Sequence, residues 1–199
     1  MKRTIACVGG GPSLTKSDVE LLRDVCSVIA VNDAYRLAPW ADALYASDLQ
    51  WWKWHDDALM KFAGRKYAIT SSVARAEDFP PDVQVLRNTG PFGLELDRRC
   101  LRDGRNSGYA AINLAVHFGA TRILLLGYDM MRGDDDRGHW FGEHPVVDRS
   151  PYEQFRESFD TMTVSLAALG IEVLNCSRRT ALTTFPVVAL EDALALEPI

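Results

Sequence analysis

Short, unbroken apolar runs rich in β-branched residues recur along this chain, and they constrain its fold more than any other feature. They are Thr4–Val8, Ser27–Val31, Ala43–Ala46, Tyr67–Thr70, Gln84–Leu86, Arg122–Gly127 and Ile171–Asn175. Several do not alternate between polar and apolar positions. A strand of that kind is covered on both faces, as in a parallel sheet. Helical patterns lie between the runs. Thr15-Lys16-Ser17-Asp18 has capping-box form and predicts a helix through about Cys26. Ser107–Phe118 carries Tyr109, Ile112, Ala115 and Phe118 at helical spacing, with Gly119 as a stop. Tyr152, Phe155, Phe159, Met162, Leu166 and Leu169 predict one long amphipathic helix ended by Gly170. A short helix closes the chain after Leu190.

The alternation predicts an α/β fold: a Rossmann-like, three-layer arrangement around a mainly parallel, twisted sheet. At 199 residues this is a single domain spanning 1–199. Two irregular segments interrupt the pattern, 88–106 and 127–151. Long loops in compact domains are usually functional or mobile, so 127–151 is read as a mobile loop or lid.

Composition narrows the function classes. The net charge is −5, which argues against non-specific binding to nucleic acid through charge alone. No stretch approaches the ~20 apolar residues of a membrane span. The start of the chain reads as a strand rather than a secretory signal. Cys7, Cys26, Cys100 and Cys176 are widely spaced without a C-x-x-C and read as buried thiols of a reducing compartment. A cytoplasmic location is the expectation.

Polar residues cluster at the predicted strand ends, where ligands of open α/β sheets sit. Gly9-Gly10-Gly11-Pro12-Ser13-Leu14 follows the first strand. Its glycines let the backbone approach a ligand and aim amides at an anion, or simply make a tight turn. Leu14 stands where a dinucleotide fingerprint needs its third glycine, and no Gly-Lys-Ser/Thr follows. Asn32 and Asp33 end the second strand, where Asn32 suits a base or ribose, or an Asx turn. Asp48 ends the third and either holds a metal or ribose or caps the helix beginning at Leu49. Gly104-Arg105-Asn106-Ser107-Gly108 precedes a strongly apolar helix and either simply caps it through Asn106 or Ser107 or forms a second anion cradle, with Arg105 supplying charge. Asp129 ends the strand beginning at Arg122. Asp134-Asp135-Asp136 reads as a solvated loop tip. Trp51, Trp52 and Trp54 cannot all face one side of a helix, so at least one is exposed or in an interface. His139 and His144 lie in the loop His139-Trp140-Phe141-Gly142-Glu143-His144-Pro145. A loop histidine beside a ligand is a natural general base, because it titrates near neutrality. His55 and His117 read as structural. Arg178 and Arg179, after the last strand, either reach a phosphate or pair at the surface.

Together these segments run strand–Gly-x-Gly-Pro-Ser-Leu, strand–Asn, Ser-Gly–helix, strand–Gly-x-Asp, a histidine–aromatic–glycine loop, then a late strand with Asn-Cys-Ser. That order resembles the bacterial lipooligosaccharide sialyltransferases and the related hydroxymethylpterin-diphosphokinase-like (DUF115) superfamily, especially small uncharacterised members encoded by phages and prophages. It covers residues 4–186, with identity concentrated in the short blocks. The resemblance implies a nucleotide-sugar-dependent glycosyltransferase. Gly9, Gly10, Gly11, Pro12 and Ser13 would line the nucleotide phosphates, Asn32 would hold nucleotide or sugar, Ser107 and its neighbours would bind phosphate, and His144 would be the base. Asp33, Asp48, Arg105, Asn106, Gly108 and Asp129 complete the candidate nucleotide site, with His139 as a second candidate base. The chain departs from the family at Gly10, where asparagine is usual. Met130 and Met131 also stand where leaving-group tyrosines would be sought. The alternatives are an ATP- and magnesium-dependent diphosphokinase-like enzyme, with Asp48 and Asp129 as metal ligands, and a non-catalytic phage-encoded module that binds nucleotide or protein. Self-association is a further candidate property, and the host cytoplasm is the location if the chain is phage-encoded.

Overall fold

The computed structural model describes residues 3–144 and 150–196. Its strands are β1 (Thr4–Val8), β2 (Ser27–Val31), β3 (Ala43–Tyr45), β4 (Arg65–Ile69), β5 (Val83–Asn88), β6 (Cys100–Leu101), β7 (Arg122–Leu126) and β8 (Glu172–Asn175). They form one sheet in the order β6-β5-β4-β3-β2-β1-β7-β8. Every pair is parallel. The helices are α1 (Lys16–Glu20), α2 (Leu49–Leu59), α3 (Ser107–His117), α4 (Tyr152–Asp160), α5 (Thr163–Ala168) and α6 (Leu190–Ala195).

The continuous apolar runs are buried on both faces. Ala6, Val8, Val28 and Leu124 join one core with Val19, Trp52 and Leu190 from the segments holding α1, α2 and α6. Ile5, Cys7, Ile29 and Leu125 join a second core with Ile112, Phe159 and Leu166 from α3, α4 and α5. The result is the three-layer, Rossmann-like α/β architecture that the strand pattern predicts. From β1 the chain steps outward through β2 to β6. It then crosses back through α3 and places β7 on the other side of β1. That reversal is a topological switch point, and it opens a crevice at the carboxyl ends of β1 and β7.

Some elements differ from their sequence-based expectation. The first helix ends at Glu20, and turns carry the chain from there to Cys26. The stripe from Tyr152 to Leu169 is two helices, with a break between Asp160 and Thr163. Cysteines 7, 100 and 176 are buried and Cys26 is half-buried, all as free thiols. Burial pushes Cys26 up to about 11 and Cys176 up to about 12. No described helix is long and apolar enough to cross a membrane.

Candidate functional site

The crevice is built by two loops that lock together. The Gly9 amide donates to the Leu126 carbonyl at 2.7 Å, and the Gly11 amide to the Gly127 carbonyl at 2.8 Å. A Cβ on Gly9 would stand 2.8 Å from the Gly127 oxygen, and one on Gly11 would stand 2.2 Å from Asp129 Oδ1. Asp129 accepts from the Ser13 amide at 2.7 Å and from the Ser13 hydroxyl at 2.9 Å. The glycine requirement at positions 9 and 11 therefore comes from the approach of β7's loop, and both amides are already engaged. Gly10 is different. Its amide makes no hydrogen bond among the described residues, and its carbonyl accepts from Trp140 N–H at 3.1 Å. The ring of His139 lies above it, 3.2 Å from where a Cβ would be.

A pocket of about 640 Å³, including its open mouth, lies over this seam. Of the sequence-derived candidates it gathers Gly9, Gly10 and Gly11, Asn32 and Asp33, Asn106, Ser107 and Gly108, and His139 and His144. It does not gather Pro12, Ser13 and Asp129, which line a separate depression beside Arg132 and Arg179. Arg105 faces another depression and lies over the Phe92 ring at 5.9 Å. Asp48 accepts from the Gln50 amide at 2.7 Å at the start of α2. Asp48 and Asp129 are each turned to their own local partners, so they do not converge as a magnesium-binding pair. Among the described residues no cluster of three or more His, Cys, Asp or Glu side chains could hold a metal.

The N-terminus of α3 opens on the pocket. Asn106 caps it, accepting from the Gly108 and Tyr109 amides at 2.8 and 3.2 Å. The Ser107 hydroxyl donates to Ser47 Oγ at 3.2 Å, and the Ser107 amide has no partner among the described residues. That amide and the positive end of the helix dipole favour an anion. Asn32 sits at φ +50°, and its carboxamide is likewise unengaged among the described residues. None of the described lining residues is lysine or arginine. An anionic group would therefore be met by main-chain amides, the helix end and the two histidines.

The histidines form one aromatic cluster. His139 stacks on Phe141 with centroids 5.0 Å apart, and His139 meets His144 edge-on at 4.8 Å. Trp54 of α2 stacks on His144 at 6.2 Å. Burial lowers His139, and the neighbouring His144 lowers it further. Both effects keep it neutral at pH 7. Trp51 and Trp52 are buried and Trp54 is half-buried against His144, so none of the three is exposed.

No family model matches the chain, and no curated protein matches it. Among solved structures, a short-chain dehydrogenase from Oenococcus oeni PSU-1 is similar at 15% identity and a TM-score of 0.31, covering 97% of this chain and 87% of that one. A likeness this slight carries no argument, and the fold rests on the strand order itself.

Several lining residues escaped the sequence reading. Tyr152 and Phe155 belong to the apolar stripe of the predicted helix, and they face the pocket with Phe141, Met130 and Met131. The available signal was their place in the first turn and a half of an amphipathic helix, where the stripe runs out toward solvent. His55, expected to be structural, bonds Tyr35 Oη at 2.9 Å through Nδ1. Arg178 forks onto Asp18 at 2.7 Å through both Nε and Nη2, and Arg179 pairs with Asp134, so both arginines are engaged away from the pocket. The described part of the 127–151 segment is tied to itself by Arg132, which bonds both Asp136 and Glu143. Residues 145–149 of the expected lid lie outside the described residues.

Proposed function

We propose that the protein is a nucleotide-sugar-dependent glycosyltransferase of the sialyltransferase and DUF115-like type that its sequence blocks resemble. The reading is carried by one observation: His139 stands over Gly10 and meets His144 edge-on in a pocket that the α3 N-terminus also enters, at the switch point of a parallel sheet. The nucleotide phosphate lies against the Ser107 and Gly10 amides, and the apolar side formed by Met130, Tyr152 and Phe155 holds the remainder of the donor. An acceptor hydroxyl attacks the anomeric carbon, and its proton passes to His144. The bond from that carbon to the phosphate oxygen breaks, and the electron pair leaves with the phosphate. Fixed amides and the helix dipole stabilise the departing charge without reorganisation. The diphosphokinase reading is weaker because its two carboxylates do not meet.

A thermal-shift panel of CMP, CDP, UDP, GDP and ATP, each with and without magnesium, tests the binding half. A nucleotide at about 100 times its Kd adds about 2.7 kcal/mol of stability. The expected result is a shift with a pyrimidine nucleotide that needs no magnesium. His144→Ala is then expected to keep that shift and to lose transfer by roughly 10²–10⁴-fold. A shift only with ATP and magnesium would overturn the reading in favour of a kinase. No shift with any nucleotide would overturn it in favour of a non-catalytic module.

A further inference from the structure

The Asp33 carboxylate is almost fully buried, and four donor-bearing side chains converge on it. Trp51 Nε1 donates to Oδ2 at 2.8 Å, and Arg36 Nη1 donates to Oδ1 at 3.3 Å. His55 Nε2 stands 3.7 Å from Oδ1, and His144 Nδ1 stands 3.9 Å from Oδ2. The two histidines play different parts. His55 is fixed from behind: its Nδ1 bonds Tyr35 Oη, and its ring stacks on Trp51 at 4.4 Å. His144 is reached from the pocket side and lines it.

The chain places Asp33 there by local means. Asn32 takes a left-handed turn at the end of β2, and the 3-10 turn Asn32–Arg36 that follows drops Asp33 beneath the pocket floor. The Trp51 indole then anchors one oxygen. In an imidazole the two nitrogens lie on opposite flanks of the ring. When Nδ1 faces a carboxylate, Nε2 is turned away from it. A carboxylate at Nδ1 also selects the tautomer with the proton on Nδ1, which leaves the Nε2 lone pair as the base.

We infer that Asp33 is the positioning residue for His144, holding its Nδ1–H so that Nε2 is presented to the pocket as the proton acceptor. The inference rests on the reading of His144 as a base. At 3.9 Å the two are within ion-pair distance but beyond hydrogen-bond length, and on this inference the gap closes to a hydrogen bond when substrate fills the site. The charged and titratable groups facing His144 are Asp33 and Arg36 after β2, His55 on α2, and His139 on its own loop. Asp33 is the anion that favours the imidazolium formed after proton uptake, Arg36 opposes it, and His55 and His139 oppose it only where they are themselves protonated.

The test is the NMR pH titration of His144 Hε1 in the ligand-free protein, wild type against Asp33→Asn. The amide is isosteric and still accepts from Trp51. The expected result is a His144 midpoint displaced downward, with the His117 titration unchanged. Asp33→Glu, which keeps the charge, is expected to restore part of the shift. An unchanged His144 midpoint in a folded Asp33→Asn protein overturns the inference. If Asp33→Asn does not fold, the ¹³C shift of the Asp33 carboxyl in the wild type reads the same coupling. It must show a step at the His144 midpoint that disappears in His144→Gln, and absence of that step overturns the inference. The readout needs no substrate. Coupling without transfer from any donor sinks the transferase reading and leaves the pair standing. Transfer that depends on His144 without coupling does the reverse.

Discussion

Asp129 stands at the end of β7 with its carboxylate enclosed, and burial pushes it up to about 6 against the hydrogen bonds from Ser13. In the unfolded chain it titrates near 3.8. The folded state therefore binds more protons between those values, and stability falls as pH rises from about 4 to about 6. The span corresponds to about 3 kcal/mol. Asp129→Asn removes the charge and keeps an acceptor for Ser13. It is expected to be as stable as wild type near pH 4, to be the more stable of the two at pH 7, and to show a flatter profile, read by urea denaturation across that range. At this scale the sequence announced which residues are special but not always why. Gly11 is legible as a position that tolerates no side chain. The obstacle is the Asp129 carboxylate, more than a hundred residues along the chain, and no local pattern reveals it.

Among the elements, α3 was the most legible, because its apolar positions, polar start and glycine stop all agree. Nine of its residues are buried, and Asn106 caps it through two amides. Asn106→Ala is expected to cost about 1 kcal/mol. If Ser107 and its neighbours hold phosphate, the same change also loosens nucleotide binding, and urea denaturation with a binding isotherm separates the two effects. The segment 152–169 was less legible. Its apolar spacing runs on without interruption, yet the helix breaks at Thr161, whose hydroxyl bonds the Ser158 carbonyl at 2.7 Å and meets Tyr109 Oη at 3.0 Å. The second of those bonds comes from α3, so tertiary contact overrides a periodicity that continues. β6 was not foreseen. Two residues inside an arginine-rich irregular stretch carry no strand signal, and Cys100 and Leu101 are extended because they pair with Arg87 and Asn88 of β5.

In the whole molecule, β7 lies between β1 and β8 with helices on both sides, and Leu124 and Leu125 belong to opposite cores while both are fully buried. Leu124→Ala and Leu125→Ala are each expected to cost roughly 2–5 kcal/mol in urea denaturation. A strand with one wet face would show a large loss at one position and little at the other. The doubly covered sheet, its parallel strands and its order of helices and strands were determined by the sequence itself, because hydrophobic periodicity is a local property that each segment carries alone. The site was decided only by the tertiary structure. Asp33, the pair Trp51 and His55 on α2, and His144 come from three separate stretches of the chain, and the switch between β1 and β7 decides which strand ends share a crevice. That choice also divided the candidates, bringing Asn32, Ser107 and the two histidines to one pocket while turning Asp48, Arg105 and Asp129 to other work. The physical reason is that a strand's pattern specifies which faces are buried, whereas the neighbours of its last residue depend on the packing of the whole sheet.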